Sequence, residues 1–249
     1  MKQMGMMKQM GFTTIGLLLF SHAAVAQPTW SSISISTTPA NLPAVQAAVD
    51  TLLSSPAGKE FPGKLLLLAD VADGSNPATH SFIPLYKSAA EREVYIQKLQ
   101  ADPSWNIFLA DLTKLSQPVS TVLYRTVKSW GEIVDTDHVW MGHAFKVNDA
   151  PAFLAAIDKF LASPTGKKFP GQVYLSVVVA GGITPVTHVV SVGYASEAEM
   201  ETWGATRDAS ADWATFMKES RKDAEYLGGS LARELKSWGP ATLSSLSGH

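Results

Sequence analysis

Histidine and tyrosine occur twice in the same arrangement, and such a pair could hold and polarise a small ligand. His80 precedes Tyr86 by six residues, and His188 precedes Tyr194 by six residues. Residues an even number apart on a strand share one face, so each pair could face a cavity with an imidazole and a phenol. The alternative is that each histidine, which follows a threonine, is satisfied by the backbone of a turn.

A second group of candidates lies on one short segment, which carries His138, Trp140 and His143. The two histidines are five residues apart, so on a strand they point to opposite faces and cannot chelate one metal ion together. For the same reason only one of Trp140 and His143 can share the face of His188. Each histidine could be a haem or metal ligand, or an ordinary surface or core residue. No HxH or HExxH spacing occurs, so we predict no metal site.

Two arginines and two lysines are weaker candidates, for binding an anion. Arg125 and Arg233 recur in otherwise apolar segments, and Arg233 is a candidate partner for an anionic ligand. The favoured interpretation is an ion pair with a carboxylate or a solvated sheet edge. Lys59 and Lys167 each follow a glycine, but the earlier glycine and the following Ser or Thr of a phosphate loop are missing.

These candidates lie within an internal repeat. Pro43–Gly131 aligns with Pro151–Gly239 without a gap, at a constant offset of 108 residues. The matched segments include SSPAGKEFPG with ASPTGKKFPG, NPATH with TPVTH, and RTVKSWG with RELKSWG. Two copies are too few for a solenoid, so we expect the two halves to pair with each other.

Hydrophobic spacing predicts the same order of elements, βαββαβ, in each copy. We predict N-caps at Asn41 and Asp149, each followed by proline, and capping boxes at Ser88 and Ser196 that open one long second helix. The predicted strands are Ser31–Thr37, Leu65–Ala69, Ser81–Tyr86 and Leu123–Ser129, then Val139–Val147, Val173–Ala180, Val189–Tyr194 and Leu231–Ser237.

This order gives an antiparallel sheet with its helices on one face. The opposite face of the sheet also carries apolar residues, and we expect the sheet of the other copy to bury it. The expected fold is therefore α+β, with two tandem ferredoxin-like units, residues 27–135 and 136–249, that pair into one intramolecular α+β barrel.

The chain resembles the dimeric α+β barrel superfamily of ferredoxin-like units. The order of elements carries the resemblance, as does Ser210–Met217 (SADWATFM), which is similar to segments of antibiotic-biosynthesis-monooxygenase-type and NIPSNAP-type domains. The resemblance implies two sheets packed face to face. Members include cofactor-free oxygenases, haem-degrading enzymes, isomerases and binding proteins, so it implies no single activity and no particular cofactor.

The first 26 residues are typical of a secretory signal. Lys2 and Lys8 precede a short apolar stretch, Gly11–Phe20, and Ala24-Val25-Ala26 offers small residues for cleavage after Ala26. The alternative is an uncleaved membrane anchor. Cleavage would place the mature chain in the periplasm or outside the cell.

Composition excludes several kinds of function. The formal net charge of −2 becomes −4 once Lys2 and Lys8 are removed, and no basic cluster occurs, so nucleic acid and anionic membranes are not expected partners. The chain has no cysteine, which removes thiol catalysis, iron–sulfur clusters and Cys-ligated zinc. A paired-carboxylate site is not predicted, because Asp70 has Val178 as its counterpart in the second copy.

The leading interpretation is an exported barrel that binds a small, apolar or aromatic molecule and is a monomer or weak homodimer. A cofactor-independent oxygenase, a haem-dependent enzyme of the same fold, and an interaction protein with a filled barrel are the alternatives. We expect the second copy to supply the main pocket. Its predicted lining residues are His188, Tyr194 and either His143 or Trp140, with His80, Tyr86 and Arg233 as further candidates.

Overall fold

The computed structural model describes residues 27–74, 76–182 and 185–247. The predicted signal segment, residues 1–26, lies outside this part of the chain. The strands are β1 Thr29–Thr37, β2 Lys64–Ala72, β3 His80–Tyr86, β4 Ser116–Gly131, β5 Val139–Val147, β6 Gln172–Gly181, β7 His188–Tyr194 and β8 Ala224–Trp238. The helices are α1 Leu42–Ser54, α2 Ala89–Ala101, α3 Pro103–Leu115, α4 Ala150–Leu161, α5 Glu197–Asp208 and α6 Ala211–Asp223.

The eight strands close into one barrel in the order β1-β3-β2-β8-β5-β7-β6-β4, and every neighbouring pair is antiparallel. Each half keeps the strand order of a ferredoxin-like unit. The halves join through β2 with β8 and through β4 with β6. The predicted fold, two ferredoxin-like units paired within one polypeptide, is confirmed.

The second helix of each unit is broken in two, which differs from the prediction. In the first half Asp102 accepts a hydrogen bond from the Ser104 backbone N–H and Pro103 starts the next helix. In the second half Ser210 caps a new helix by accepting from the Trp213 N–H. A side chain that satisfies free N–H groups starts a helix, so each cap begins a new one.

The predicted caps are confirmed at three of four positions. Ser88 and Ser196 accept from the N–H groups three residues on, and Asp149 accepts from that of Ala152. Asn41 makes no such bond; its side-chain amide donates to the Leu115 carbonyl at 3.1 Å. Asn41 therefore ties α1 to the end of α3 rather than capping α1.

Successive side chains along each strand point alternately toward the helices outside the barrel and toward its interior. Ile35 and Phe82 pack with Val45 and Val49 of α1 on the outside of the barrel. Phe153 of α4 packs with Leu175 in the same way in the second half. The intervening residues of each strand point inward, so the inner faces of the two sheets meet across the barrel axis.

Two equivalent clusters connect the halves, and they explain the repeated KSWG segment. Trp238 and Lys236 of β8 donate to the Asp50 carboxylate on α1 of the other half, at 2.6 and 2.8 Å. Trp130 and Lys128 of β4 donate to Asp158 on α4, at 2.7 and 2.6 Å. Each last strand is thus fixed to the first helix of the opposite unit.

The C-terminal segment covers one end of the barrel. It contains a short 3-10 helix, Ser244–Leu246, and Leu243 and Leu246 are each 4% exposed. The Leu243 N–H donates to Asp135, and Ser129 donates to the Ser247 carbonyl. No helix among the described residues is both long and apolar enough to cross a membrane.

Candidate functional site

The barrel encloses a cavity of about 550 Å³ between the two sheets. This volume falls within the range of small-molecule sites in proteins. The wall is largely apolar, and inward-facing residues of both halves contribute to it. The cavity is therefore shared by the two units, rather than supplied mainly by the second as predicted.

Aromatic side chains gather at the end that the C-terminal segment covers. Trp30 stacks on Tyr124 with ring centroids 4.1 Å apart, and its indole N–H donates to Ser176. Trp140 lies beside Tyr174 with centroids 6.3 Å apart. Trp30, Trp140 and Tyr174 stand near the starts of β1, β5 and β6. The antiparallel pairings make these strands run in the same direction, so all three lie at one end.

A hydrogen-bonded chain fixes Tyr174. Its hydroxyl donates to the side-chain Oε1 of Gln172 at 2.6 Å, and the side-chain Nε2 of Gln172 donates to Asp137 at 2.9 Å. Burial raises the pKa of Asp137, and the hydrogen bond from Gln172 opposes that rise. Burial, followed by the charge of Asp137, also raises the pKa of Tyr174. Tyr174 is therefore a fixed, neutral phenol at physiological pH.

Asp70 marks the opposite end of the cavity, near the end of β2. The Ser81 hydroxyl donates to its carboxylate at 3.1 Å, and Ser34 lies 3.2 Å from Ser81. Burial raises the pKa of Asp70 to about 6; the Ser81 hydrogen bond lowers it, and the charge of Asp73 raises it further. A carboxyl group with this pKa is mostly ionised at pH 7 and accepts protons slightly below it.

The charges on the wall are of one sign. Of the described residues that line the cavity, Asp70 and Asp73 carry carboxylates, and none is a lysine, arginine or histidine. Asp73 already accepts a hydrogen bond from the Asn76 side chain. The cavity is therefore anionic at its open end and apolar and aromatic at its closed end.

The structure corrects the placement of most predicted lining residues. His188 is the register partner of Phe145, which packs on Phe153 of α4, so His188 faces the helices and not the cavity. Tyr194 lies on the same face of β7, buried against Phe169. His143 shares the face of Phe145, and burial lowers its pKa to about 4.

His80 and His188 are the first residues of β3 and β7 and occupy equivalent positions in the two halves. The ring Nδ1 of each lies 2.9 Å from the hydroxyl of the preceding threonine, Thr79 or Thr187. The same hydroxyls accept from the backbone N–H of Thr37 and Val147. Each ring thus contacts a threonine hydroxyl, and not the turn backbone that the alternative interpretation expected.

The remaining candidates divide between wall and surface. Trp140 lines the cavity, and its indole N–H has no hydrogen-bond partner among the described residues. Tyr86 reaches the wall at one end, while its ring packs on Phe61 and Tyr95. Arg233 pairs with Glu197 at the surface, as the favoured interpretation expected.

Four of the wall residues that the sequence did not predict share a feature in the repeat. Each is a large or charged residue whose counterpart 108 positions away is of a different kind. The four pairs are Trp30 with His138, Asp70 with Val178, Tyr124 with Ala232, and Tyr174 with Leu66. A position that differs between duplicated units is free of the shared folding requirement, which makes it a candidate for a ligand contact.

The cavity wall does not fit a histidine-ligated haem. His80, His143 and His188 face the helices, and the side chain of His138 is 54% exposed beside Glu234. Of the described wall residues, none is a cation that could pair with haem carboxylates. The described residues also contain no group of three or more His, Cys, Asp or Glu that could hold a metal ion.

Solved structures share this architecture at low sequence identity. A candidate monooxygenase from Lactobacillus acidophilus is 12% identical, covers 87% of this chain and 97% of its own, and has a TM-score of 0.58. An anthrone oxidase-like protein is 9% identical, with 85% and 92% covered and a TM-score of 0.54. A haem-binding protein from Thermus thermophilus is 8% identical, with 85% and 92% covered and a TM-score of 0.52.

These similarities agree with the fold seen here, an α+β barrel of two ferredoxin-like units. No protein-family model matches the sequence, and no curated protein matches it either. Because proteins of this fold differ in activity, function must be inferred from the cavity itself.

Proposed function

We propose that the protein is an exported barrel that binds a small, largely apolar aromatic molecule in the cavity between its two sheets. The observation that supports this most strongly is the cavity of about 550 Å³ with two tryptophans and two tyrosines at its covered end. Aromatic rings stack favourably on flat ligands, and burial of apolar surface adds to the affinity.

A neutral fluorescent probe tests this proposal. N-phenyl-1-naphthylamine should show enhanced emission in the presence of the protein and should quench tryptophan fluorescence. Ala144→Phe would fill the cavity, since Ala144 lines its wall, and should weaken binding at least about tenfold, or ~1.4 kcal/mol. Ala47→Phe is the matched control, because Ala47 is exposed on α1. Equal affinity in the two variants, or no binding to either the variants or the unmodified protein, would contradict the proposal.

A cofactor-independent oxygenase is the second candidate, and Asp70 is the observation that favours it. A carboxylate with a pKa of about 6 at the open end of a largely apolar cavity can act as a general base toward an acidic C–H or phenol group. Anthrone with dioxygen would give anthraquinone and water, with the first proton taken by Asp70. Anthraquinone formation and oxygen uptake that stop in Asp70→Asn would support this activity; no turnover in the unmodified protein would reject it.

Export remains part of the proposal and rests on residues 1–26 alone. The small residues Ala24 and Ala26 favour a mature chain that begins at Gln27. N-terminal sequencing of the protein from its own host should therefore start at Gln27. Recovery of the full-length chain in the membrane fraction would support the uncleaved anchor instead.

A further inference from the structure

We propose that the cavity selects aromatic molecules that carry an amine, with the ring at the closed end and the ammonium group on the Asp70 carboxylate. This inference rests on the proposed binding function and names the chemical class of its ligand. It depends on which hydrogen-bond capacity the wall leaves unused, on the sign of its charge, and on the distance between the two ends.

Asp70 retains acceptor capacity that the protein does not use. An ionised carboxylate offers two oxygens with about four acceptor sites. Among the described residues, the side-chain donor to the Asp70 carboxylate is the Ser81 hydroxyl, at 3.1 and 3.3 Å from the two oxygens. The Thr79 carbonyl accepts from the Asp70 backbone N–H, which leaves the side chain uninvolved. A donor from a ligand would complete the site, and a charged donor would do so most strongly.

The negative charge of the cavity wall disfavours anionic ligands. No lysine, arginine or histidine among the described residues lines the cavity, so a carboxylate or phosphate on the ligand would find two carboxylates and no cation on that part of the wall. Like charges in a low-dielectric cavity repel strongly, whereas an ammonium group would compensate the buried charge of Asp70. The wall therefore favours a cation over an anion.

The two ends are separated by a distance that suits one ring system and a short chain. Ser34, which contacts the Asp70–Ser81 pair, lies four residues beyond Trp30 on β1. At about 3.3 Å per residue, the rise along the strand is about 13 Å, and the bulk of the tryptophan ring shortens the open gap. An indole with a two-carbon amine side chain matches this distance.

Isothermal titration with three indoles tests the selectivity. Tryptamine carries the amine, 3-methylindole is neutral and indole-3-propionate is an anion. At pH 7.5 tryptamine should bind about tenfold or more tightly than 3-methylindole, and indole-3-propionate should bind weakest. In Asp70→Asn the affinities for tryptamine and 3-methylindole should converge. Asp111→Asn, an exposed site paired with Lys114, is the matched control and should keep the preference.

A pH series on the unmodified protein gives the same answer without a variant, in case Asp70→Asn fails to fold. Tryptamine affinity should fall as pH falls from 7 to 5, while 3-methylindole affinity should not. The other titratable groups on the wall are Asp73 on the adjoining loop and Tyr86, Tyr124 and Tyr174. Burial raises the pKa of Tyr124 to about 12, which places its titration outside this window.

The outcomes separate this inference from the proposed function. Binding of 3-methylindole and N-phenyl-1-naphthylamine with no preference for tryptamine would overturn the inference and leave the binding function intact. A preference that survives Asp70→Asn, or a flat pH profile for tryptamine, would also overturn it. Failure of all four compounds to bind would reject both.

Discussion

Asp70 and Tyr124 line the cavity in the first half of the barrel, where the second half places Val178 and Ala232. On the outer face the halves agree instead: the clusters at Asp50 and Asp158 have the same members and nearly the same distances. The His–Thr turns also match, with both contacts at 2.9 Å. Duplication has kept what closes the barrel, and the inner wall has diverged.

The difference indicates where function resides. Residues common to both halves satisfy helices, turns and the junctions between sheets, so their types are set by folding. Several residues that differ in kind line the cavity wall, among them Asp70 against Val178 and Tyr124 against Ala232. A pseudo-symmetric barrel thereby acquires an asymmetric interior, with an acid contributed by one half and aromatic rings contributed by both.

The largest expected effect is on stability, and it tests whether the two junctions at the ends of β4 and β8 are equivalent. Gly131 and Gly239 end the KSWG segments with φ of 86° and 97°, and an added Cβ would lie 2.2 and 2.3 Å from a backbone carbonyl oxygen. Gly131→Ala and Gly239→Ala should each lower the free energy of unfolding by about 3 kcal/mol or more. Urea denaturation measures this.

Gly74→Ala provides the control for those two variants. Gly74 also has a positive φ, 57°, but an added Cβ would meet nothing within 4 Å. It should cost about 1 kcal/mol. A harmless substitution at only one of Gly131 and Gly239 would show that the two junctions are not equivalent.

The second prediction concerns the loss of stability caused by Asp70, a carboxylate that has no counterpart in the second half. Burial raises the pKa of Asp70 from 3.8 to about 6, so the ionised form destabilises the fold, and stability falls as pH rises between those values. Because the side chain is partly exposed, the expected cost above pH 6 is about 1–2 kcal/mol. Asp70→Asn should therefore be more stable than the unmodified protein at pH 8 and equally stable near pH 4.

The matched substitution is made in the other half. Val178→Asp would place a carboxyl at the position equivalent to Asp70, without the Ser81 and Ser34 hydroxyls, which are replaced there by Val189 and Gly142. It should destabilise the protein at pH 8 more than at pH 4. A gain for Asp70→Asn that is the same at both pH values would contradict the assigned cause.

Much of the scaffold could be predicted from the sequence, since the gapless repeat and the strand alternation gave the order of elements and the pairing of the halves. The cavity-facing side could not be chosen correctly from apolar character alone. Val190, Val192 and Tyr194 form the more apolar side of β7, and it is buried against the helices. The cavity side carries Ser191 and Gly193, which are small and leave space.

The sequence contains weaker indications of the broken helices and of the C-terminal segment that covers the barrel than it does of the repeat. Asp102-Pro103 is a helix start within a run that otherwise reads as continuous. Leu243 and Leu246 follow the last repeat position, so comparison of the two copies gave no guide to them. Their role depends on contacts with distant residues, such as that between the Leu243 N–H and Asp135.

The smallest expected effect distinguishes turn histidines from ligand histidines. His80 and His188 make equivalent contacts, and burial lowers the pKa of both. His80→Ala and His188→Ala should each cost about 1 kcal/mol of stability, with no change in the affinity for N-phenyl-1-naphthylamine. Thermal unfolding and probe titration together measure this. Selective loss of probe binding in His188→Ala would restore the site first expected from the sequence.

Crystals of the protein soaked with 1-bromonaphthalene test the central claim most directly, because the bromine can be located by its anomalous scattering. The interior-cavity account predicts a bromine peak inside the barrel, within van der Waals contact of Trp30, Tyr124, Trp140 or Tyr174. A peak confined to the helix-facing side near His188 and Tyr194, or peaks only on the outer surface, would contradict it.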